Sequence, residues 1–182
     1  MSRVARSQPE AFVALLRGVN VGRNMVRMAD LRAMVEEFGF ADVRTVLNSG
    51  NVLFSAPRAD AAKAATAIEA GIVRLGAKSR VFVLAVADLR RMLAANPLAD
   101  IATDPSRLLI AVFADGAPPP RVAALLNQDW GEDRFVIAEG GVFLWCARGV
   151  LESPLAKAFG RAAGDVTTTR NLTTMTKLAA AS

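Results

Sequence analysis

The sequence predicts an α+β fold: two tandem ferredoxin-like halves of β-α-β-β-α-β type, packed into one compact body, with a C-terminal helix. Three observations predict it. Short apolar runs and helical periodicities alternate in that order and then do so again. Turn residues fall where each pass needs a hairpin. The chain has 182 residues, 53% of them hydrophobic, enough for a sizeable core and too many for a disordered chain.

The elements follow in order. Residues 11–16 (AFVALL) form a short apolar run that reads as a buried strand. A glycine-containing loop follows. Residues 28–38 place Leu31, Met34, Val35 and Phe38 at helical spacing, with Gly39 suited to the left-handed position beyond a helix and Phe40 to the apolar contact after it. Residues 43–47 and 52–55 are short runs on either side of Ser49-Gly50 and read as a hairpin. Residues 57–75 carry Ala64, Ala67, Ile68, Ile72 and Leu75 on one face and stop at Gly76, which predicts a long helix. Residues 80–86 (RVFVLAV) are β-like, and residues 88–95 form a short helix ending before Pro97.

The second pass opens with a strand at 108–114 and a helix at 119–127, whose prolines suit a first turn. Strands at 135–138 and 142–146 flank the hairpin signal Gly140-Gly141. Ser153-Pro154 caps a helix running to Ala163, with Gly164 after it. A final strand is expected at 166–168 and a last helix at 172–181. The implied organisation is a tail at 1–10, a first half at 11–96, a linker at 97–104 and a second half at 105–182. The two halves share no residue-level identity, so the repeat is one of architecture.

Composition narrows the chemistry. There is no histidine and no tyrosine, which excludes Ser-His-Asp and Cys-His pairs and any histidine-ligated zinc. The single cysteine, Cys146, excludes internal disulfides and cysteine-rich metal sites; it sits in VFLWC and reads as a small core residue. No metal and no cofactor is expected. No run approaches the ~18 apolar residues of a membrane span, and residues 1–10 lack the apolar stretch of a secretory signal. A reducing cytoplasm is the expected location, with no membrane partner. The net charge is +5 and the isoelectric point about 10.3, a balance that favours anionic partners. Seven cations, namely Arg3, Arg6, Arg58, Lys63, Arg74, Lys78 and Arg80, are expected to solvate a tail, helices and turns.

Against this apolar background stand three polar islands: residues 15–24 (LLRGVNVGRN), 48–51 (NSGN) and 167–177 (TTTRNLTTMTK). They gather Arg17, Asn20, Asn24, Ser49, Asn51, Arg170, Asn171, Thr173 and Lys177, a donor-rich and acid-poor set suited to an anion or polar ligand. Arg17 ends an apolar strand ahead of a helix N-terminus near Met28, where free N–H groups and the helix dipole favour anions. The alternative is a structural loop in which Asn and Gly satisfy backbone geometry. The spacing lacks the Gly-Lys-Ser/Thr ending of a phosphate loop. Ser49-Gly50-Asn51 suits a tight turn whatever its function. In the third island Asn171 is a good N-cap for a helix with Leu172, Met175 and Leu178 on one face and Thr173 and Lys177 on another. The acids Asp30, Glu36, Glu37 and Asp42 cluster around the first helix without forming a catalytic pair.

The block LLRGVNVGRNMVRMADLRAMVEEFGFADVRTVLNSGNVLF and the ending TTTRNLTTMTKLAA resemble the bacterial domain-of-unknown-function family 1697. The resemblance covers nearly the whole chain; residues 56–148 match mainly in pattern. It implies two ferredoxin-like halves and supplies no reaction. It also implies that Arg17, Gly18, Asn20, Gly22, Met28, Ser49, Gly50, Asn51, Arg170, Asn171, Thr173 and Lys177 occupy motif positions. Arg23 stands where the family often has glycine, Val46 and Asn48 where tyrosine and glutamine are usual, and Leu172 where tryptophan is common. Any ring-stacking role of those positions is lost here.

Three functions compete. The leading expectation is a cleft between the halves that binds an anion or small molecule, as a binding protein or as an enzyme on a phosphorylated or carboxylated substrate. Arg17 and Lys177 would converge there, with Asn20, Ser49 and Asn51 as orienting donors and Thr173 on the wall. The second is a structural or interaction protein whose motifs lock the two halves. The third and least favoured is a nucleic-acid-binding module, since the stacking aromatics of RNA-binding versions of this architecture are missing.

Overall fold

A strand forms at Glu10–Leu16 because its β-favourable apolar residues alternate between two faces of a pleat. The computed structural model describes residues 9–181; the expected tail, through residue 8, lies outside the described residues. The described residues fall into two compact units that divide between Ala87 and Asp88. The expected linker, residues 97–104, lies on the second unit's side of that division.

The first unit contains β1 (Glu10–Leu16), α1 (Met28–Glu37), β2 (Ala41–Thr45), β3 (Asn51–Ala56), α2 (Arg58–Arg74) and β4 (Val81–Ala85). Its antiparallel sheet has the order β2-β3-β1-β4. Register is set by alternation: Phe12, Ala14 and Leu16 of β1 point to the same buried face as Val52, Phe54 and Ala56 of β3. That face packs on Leu31, Met34 and Val35 of α1 and on Ala64, Ile68 and Ile72 of α2. Phe40 follows α1 as expected, its ring 4.7 Å from that of Phe54. The residue between them and α1, Gly39, has φ of 81°, the left-handed stop the sequence predicts.

The second unit contains most of α3 (Val86–Ala94), then β5 (Leu108–Phe113), α4 (Pro120–Ala123), β6 (Arg134–Ala138), β7 (Gly141–Trp145), α5 (Pro154–Ala163), β8 (Thr167–Asn171) and α6 (Leu172–Ala180). Its sheet is also antiparallel, in the order β6-β7-β5-β8. Ala111, Val142, Leu144, Leu155, Phe159 and Ala163 centre its core. The protein is thus α+β, with two four-stranded antiparallel sheets and six α-helices among the described residues. None of those helices is long and apolar enough to cross a membrane.

Several elements differ from the sequence expectation: β2 lies at Ala41–Thr45 rather than 43–47, which leaves Val46 and Leu47 to the turn, and α3 starts at Val86 rather than 88. The helix expected at 119–127 is α for one turn and then tightens to a 3-10 turn at Ala124–Asn127. Short polar-ended helices of this kind lack the length to hold α geometry by propensity alone. The last strand runs to Asn171 rather than stopping at 168. Its threonines pair in register with β5, from Thr167 opposite Phe113 to Asn171 opposite Leu109, and β-branched side chains suit that edge position.

Gly71 of α2 leaves the room that the Met34 side chain of α1 fills. A Cβ there would lie 1.8 Å from Met34 Sδ and 2.9 Å from Met34 Cγ. Gly71→Ala should therefore cost about 1–3 kcal/mol in urea unfolding, as overpacking does. The cost should shrink in a Met34→Ala background, because the double-mutant cycle removes the collision.

Candidate functional site

The first two islands meet at one end of the first sheet. The loop after β1 (residues 17–27), the β2–β3 turn (46–50) and the segment before β4 (76–80) all emerge there, since β1 runs antiparallel to both β3 and β4. Backbone bonds join them: Leu16 N–H donates to Gly50 O at 2.8 Å and Arg17 N–H to Arg80 O at 2.9 Å.

Side chains complete the tie. The Asn24 amide donates to Gly18 O at 2.6 Å and to Lys78 O at 2.7 Å, and its Oδ1 accepts the Lys78 N–H at 2.9 Å. The Asn20 amide donates to Asn48 O at 2.7 Å while its Oδ1 accepts the Val26 N–H at 2.8 Å. Buried Asn51 donates to Val46 O at 2.9 Å and Ser49 Oγ at 3.0 Å. Ser79 Oγ donates to Arg17 O at 3.0 Å. These carboxamides act as surrogate backbone, pairing groups that loops would otherwise leave to water. Asn20 and Leu47 hold left-handed φ angles of 57° and 59°. Such angles suit asparagine and strain leucine. Gly50 is required by space as well as by its φ of 73°: a Cβ would lie 2.3 Å from Val19 Cγ2 and 2.9 Å from Leu16 Cβ.

Arg17 is half-buried at the end of β1. Ser49 is exposed beside Gly50. The N-terminus of α1 begins at Met28 with no side-chain cap. The third island lies in the second unit. Arg170 sits in β8, its guanidinium donating to Thr168 Oγ1 at 3.0 Å and Thr169 O at 2.9 Å. Burial lowers its pKa from the ordinary value to about 10, since desolvation disfavours the charged form. Asn171 caps α6 as the sequence predicts, its Oδ1 accepting the Thr174 N–H at 2.9 Å. Met175 and Leu178 are buried, whereas Thr173 and Lys177 are exposed on the other face.

One polar cluster was not legible as a site. Asp133, at the start of β6, is buried and accepts from Ala147 N–H at 2.9 Å and Ser153 Oγ at 2.6 Å. Ser153 in turn accepts the Ala156 N–H at 2.9 Å as the N-cap of α5. Only the Ser153-Pro154 cap signals this from sequence. A cavity of about 360 Å3 opens beside it, lined by Trp130, Glu132, Arg148 and Glu152 among others. In the first unit a cavity of about 550 Å3 lies over edge strand β2, away from the islands, with Arg32, Glu36, Asp42 and Arg44 on its walls. No group of three or more metal-ligating side chains occurs among the described residues.

Comparison with known proteins sets these features in a family. Residues 10–143, well over half of the chain, match the family model described as a protein of unknown function, DUF1697, and the chain belongs to that family. The match takes in the first two islands and ends before the third. A solved structure, that of the conserved bacterial protein SP0830 from Streptococcus pneumoniae, superposes with a TM-score of 0.72. It is 21% identical and the alignment covers 95% of this chain and 98% of that one, a likeness of fold. No curated protein matches the chain significantly.

Asn24→Ala deprives two carbonyls and one N–H of their partners. It should lower unfolding free energy by about 1–3 kcal/mol in urea titration, whereas Arg23→Ala next to it should change little.

Cys146 is fully buried, and burial pushes its thiol pKa up, with the Asp133 charge adding and a Ser153 hydrogen bond opposing. A raised folded-state pKa means the native protein holds the proton longer than the unfolded chain. Stability from this group is present below the ordinary thiol range and falls as pH rises above about 8.5. Native protein should resist a thiol-reactive disulfide reagent at pH 8 and react at once in denaturant.

Proposed function

We infer that the protein is an anion- or small-molecule-binding module built from two ferredoxin-like halves. Each sheet order, an outer strand, then the third, the first and the fourth of its unit, supports the ferredoxin-like reading. In this reading the asparagines shape the loops, and the donors that meet ligand are Arg17 and Ser49 in the first unit and Arg170, Thr173 and Lys177 in the second.

The observation that carries the reading is Arg170. A guanidinium held at a pKa of about 10 by desolvation is expensive in an apolar chain. Perturbed cations of this kind concentrate at binding sites as well as in structural networks. Thr173 and Lys177 stand exposed on α6, which begins at Leu172 just beyond Arg170. The buried thiol and the absence of any other cysteine suit a reducing cytoplasm.

A second reading has its own support. The carboxamides of Asn20, Asn24 and Asn51 all bond within the first unit, which favours motifs that are a structural clamp. A nucleic-acid role stays least favoured, as affinity would rest on phosphate contacts alone.

Thermal-shift titration with phosphate, pyrophosphate and citrate distinguishes the readings. A ligand that binds the native state raises the midpoint with its concentration. Lys177→Ala should then weaken binding by about 1.5–3 kcal/mol, as for a lost charged hydrogen bond, and leave the unliganded midpoint unchanged. A blank panel, with Arg17→Ala lowering the unliganded midpoint, supports the clamp instead.

A further inference from the structure

We propose that the tied loops at the end of the first sheet form a peripheral docking surface for an anionic phospholipid bilayer. The observation is a concentration of exposed aliphatic side chains among cations. Val21, Met25 and Leu47 are 68%, 63% and 45% exposed, and among the described residues of the first unit they are three of the four large exposed apolar side chains. All three stand on the loops that Asn20 and Asn24 tie together. Monomeric proteins seldom cluster such residues without a partner.

Cations surround them. Arg23 and Lys78 are exposed, and among the described residues no carboxylate lies within ion-pair distance of either. Arg27, 85% exposed, has only a loose 3.9 Å contact with Asp30. In the loop sequence Val21-Gly22-Arg23-Asn24-Met25 one basic side chain, Arg23, stands between the apolar Val21 and Met25 on a small hairpin closed by the Val21–Asn24 bridge. This combination of aliphatic tips and a basic rim is what enters the headgroup region of an anionic leaflet.

The scaffold also suits that task. Leu47 stands exposed in a left-handed conformation next to Val46, whose N–H and carbonyl both pair with Asn51. Strain that the surroundings over-determine is a mark of function. Because the loops are already ordered, docking incurs little ordering cost.

The other occupants fit less well. The three loops contain no aromatic ring, so single-stranded nucleic acid finds no stacking platform. A specific protein interface needs roughly 20–30 residues a side, far more than these tips offer. Peripheral contact is distinct from spanning, for which none of the described helices is long enough.

The test is co-sedimentation of the full chain with vesicles of phosphatidylcholine alone and of phosphatidylcholine mixed with an equal amount of phosphatidylglycerol. At low salt the protein should bind the mixed vesicles and leave the neutral ones, and added salt should release it. Met25→Asp with Leu47→Asp, and separately Arg23→Glu with Lys78→Glu, should each cut partitioning at least about fivefold. Their melting midpoints should stay within about 2 °C of the parent, since the side chains are exposed. Lys177→Ala should leave vesicle binding intact, and the Met25 and Leu47 pair should leave any phosphate, pyrophosphate or citrate response intact, so that this proposal and the binding reading fail separately. No binding of the parent protein to mixed vesicles at low salt overturns the proposal. So does binding that the Met25 and Leu47 changes leave unaltered, or an oligonucleotide bound through the same residues while vesicles are ignored.

Discussion

The Asn24 carboxamide is the constraint on which the loop end of the first unit's sheet depends. Three chain segments arrive there, just beyond the ends of the β1–β3 and β1–β4 ladders. Asn24 takes the place of a strand between them. It pairs with Gly18 in its own loop and, in both directions, with Lys78, 54 residues away. Asn20 extends the same device to the β2–β3 turn. Remove these bonds and the loop has no reason to keep Gly18, Asn20 and Gly22 in left-handed conformations. Whatever the loops present, whether Arg17 or the apolar tips, is presented because the carboxamides hold the backbone still.

Much of the fold is legible in the sequence, because the features that carry it are local. Helical spacing places α1 and α2 to within a residue or two, Gly39 stops α1, and Ser153 and Asn171 cap the helices that follow them. The threonine run at 167–171 is harder to read. Polar residues look like a loop until their pairing with β5 is known, and that pairing is a long-range property. The one-turn α4 misleads for the converse reason: a proline start signals a helix but not its length.

The site divides in the same way. That the islands matter is visible in a chain otherwise so apolar. What the asparagines do is not, since a donor-rich loop reads equally as ligand site and as backbone lock, and only the partners decide. Asn20, Asn24 and Asn51 turn inward to main-chain groups. The Asp133–Ser153 pair performs a comparable job in the second unit, tying the start of β6 to the cap of α5. Its two members lie 20 residues apart and carry no periodic signature, so sequence signals the Ser153 cap but not its pairing with Asp133. Thr173 and Lys177 face outward on α6, and Arg170 lies at an energetic cost in β8.

The central claim is that side-chain amides, rather than water, satisfy the loop backbone. Native-state hydrogen exchange resolved to single amides tests it most directly. The Val26 and Lys78 N–H groups lie outside any helix or strand, yet each donates to an asparagine oxygen, at 2.8 Å and 2.9 Å. Both should exchange orders of magnitude more slowly than an open loop, with protection approaching that of the neighbouring strand amides. Exchange of the two at unprotected loop rates would contradict the account.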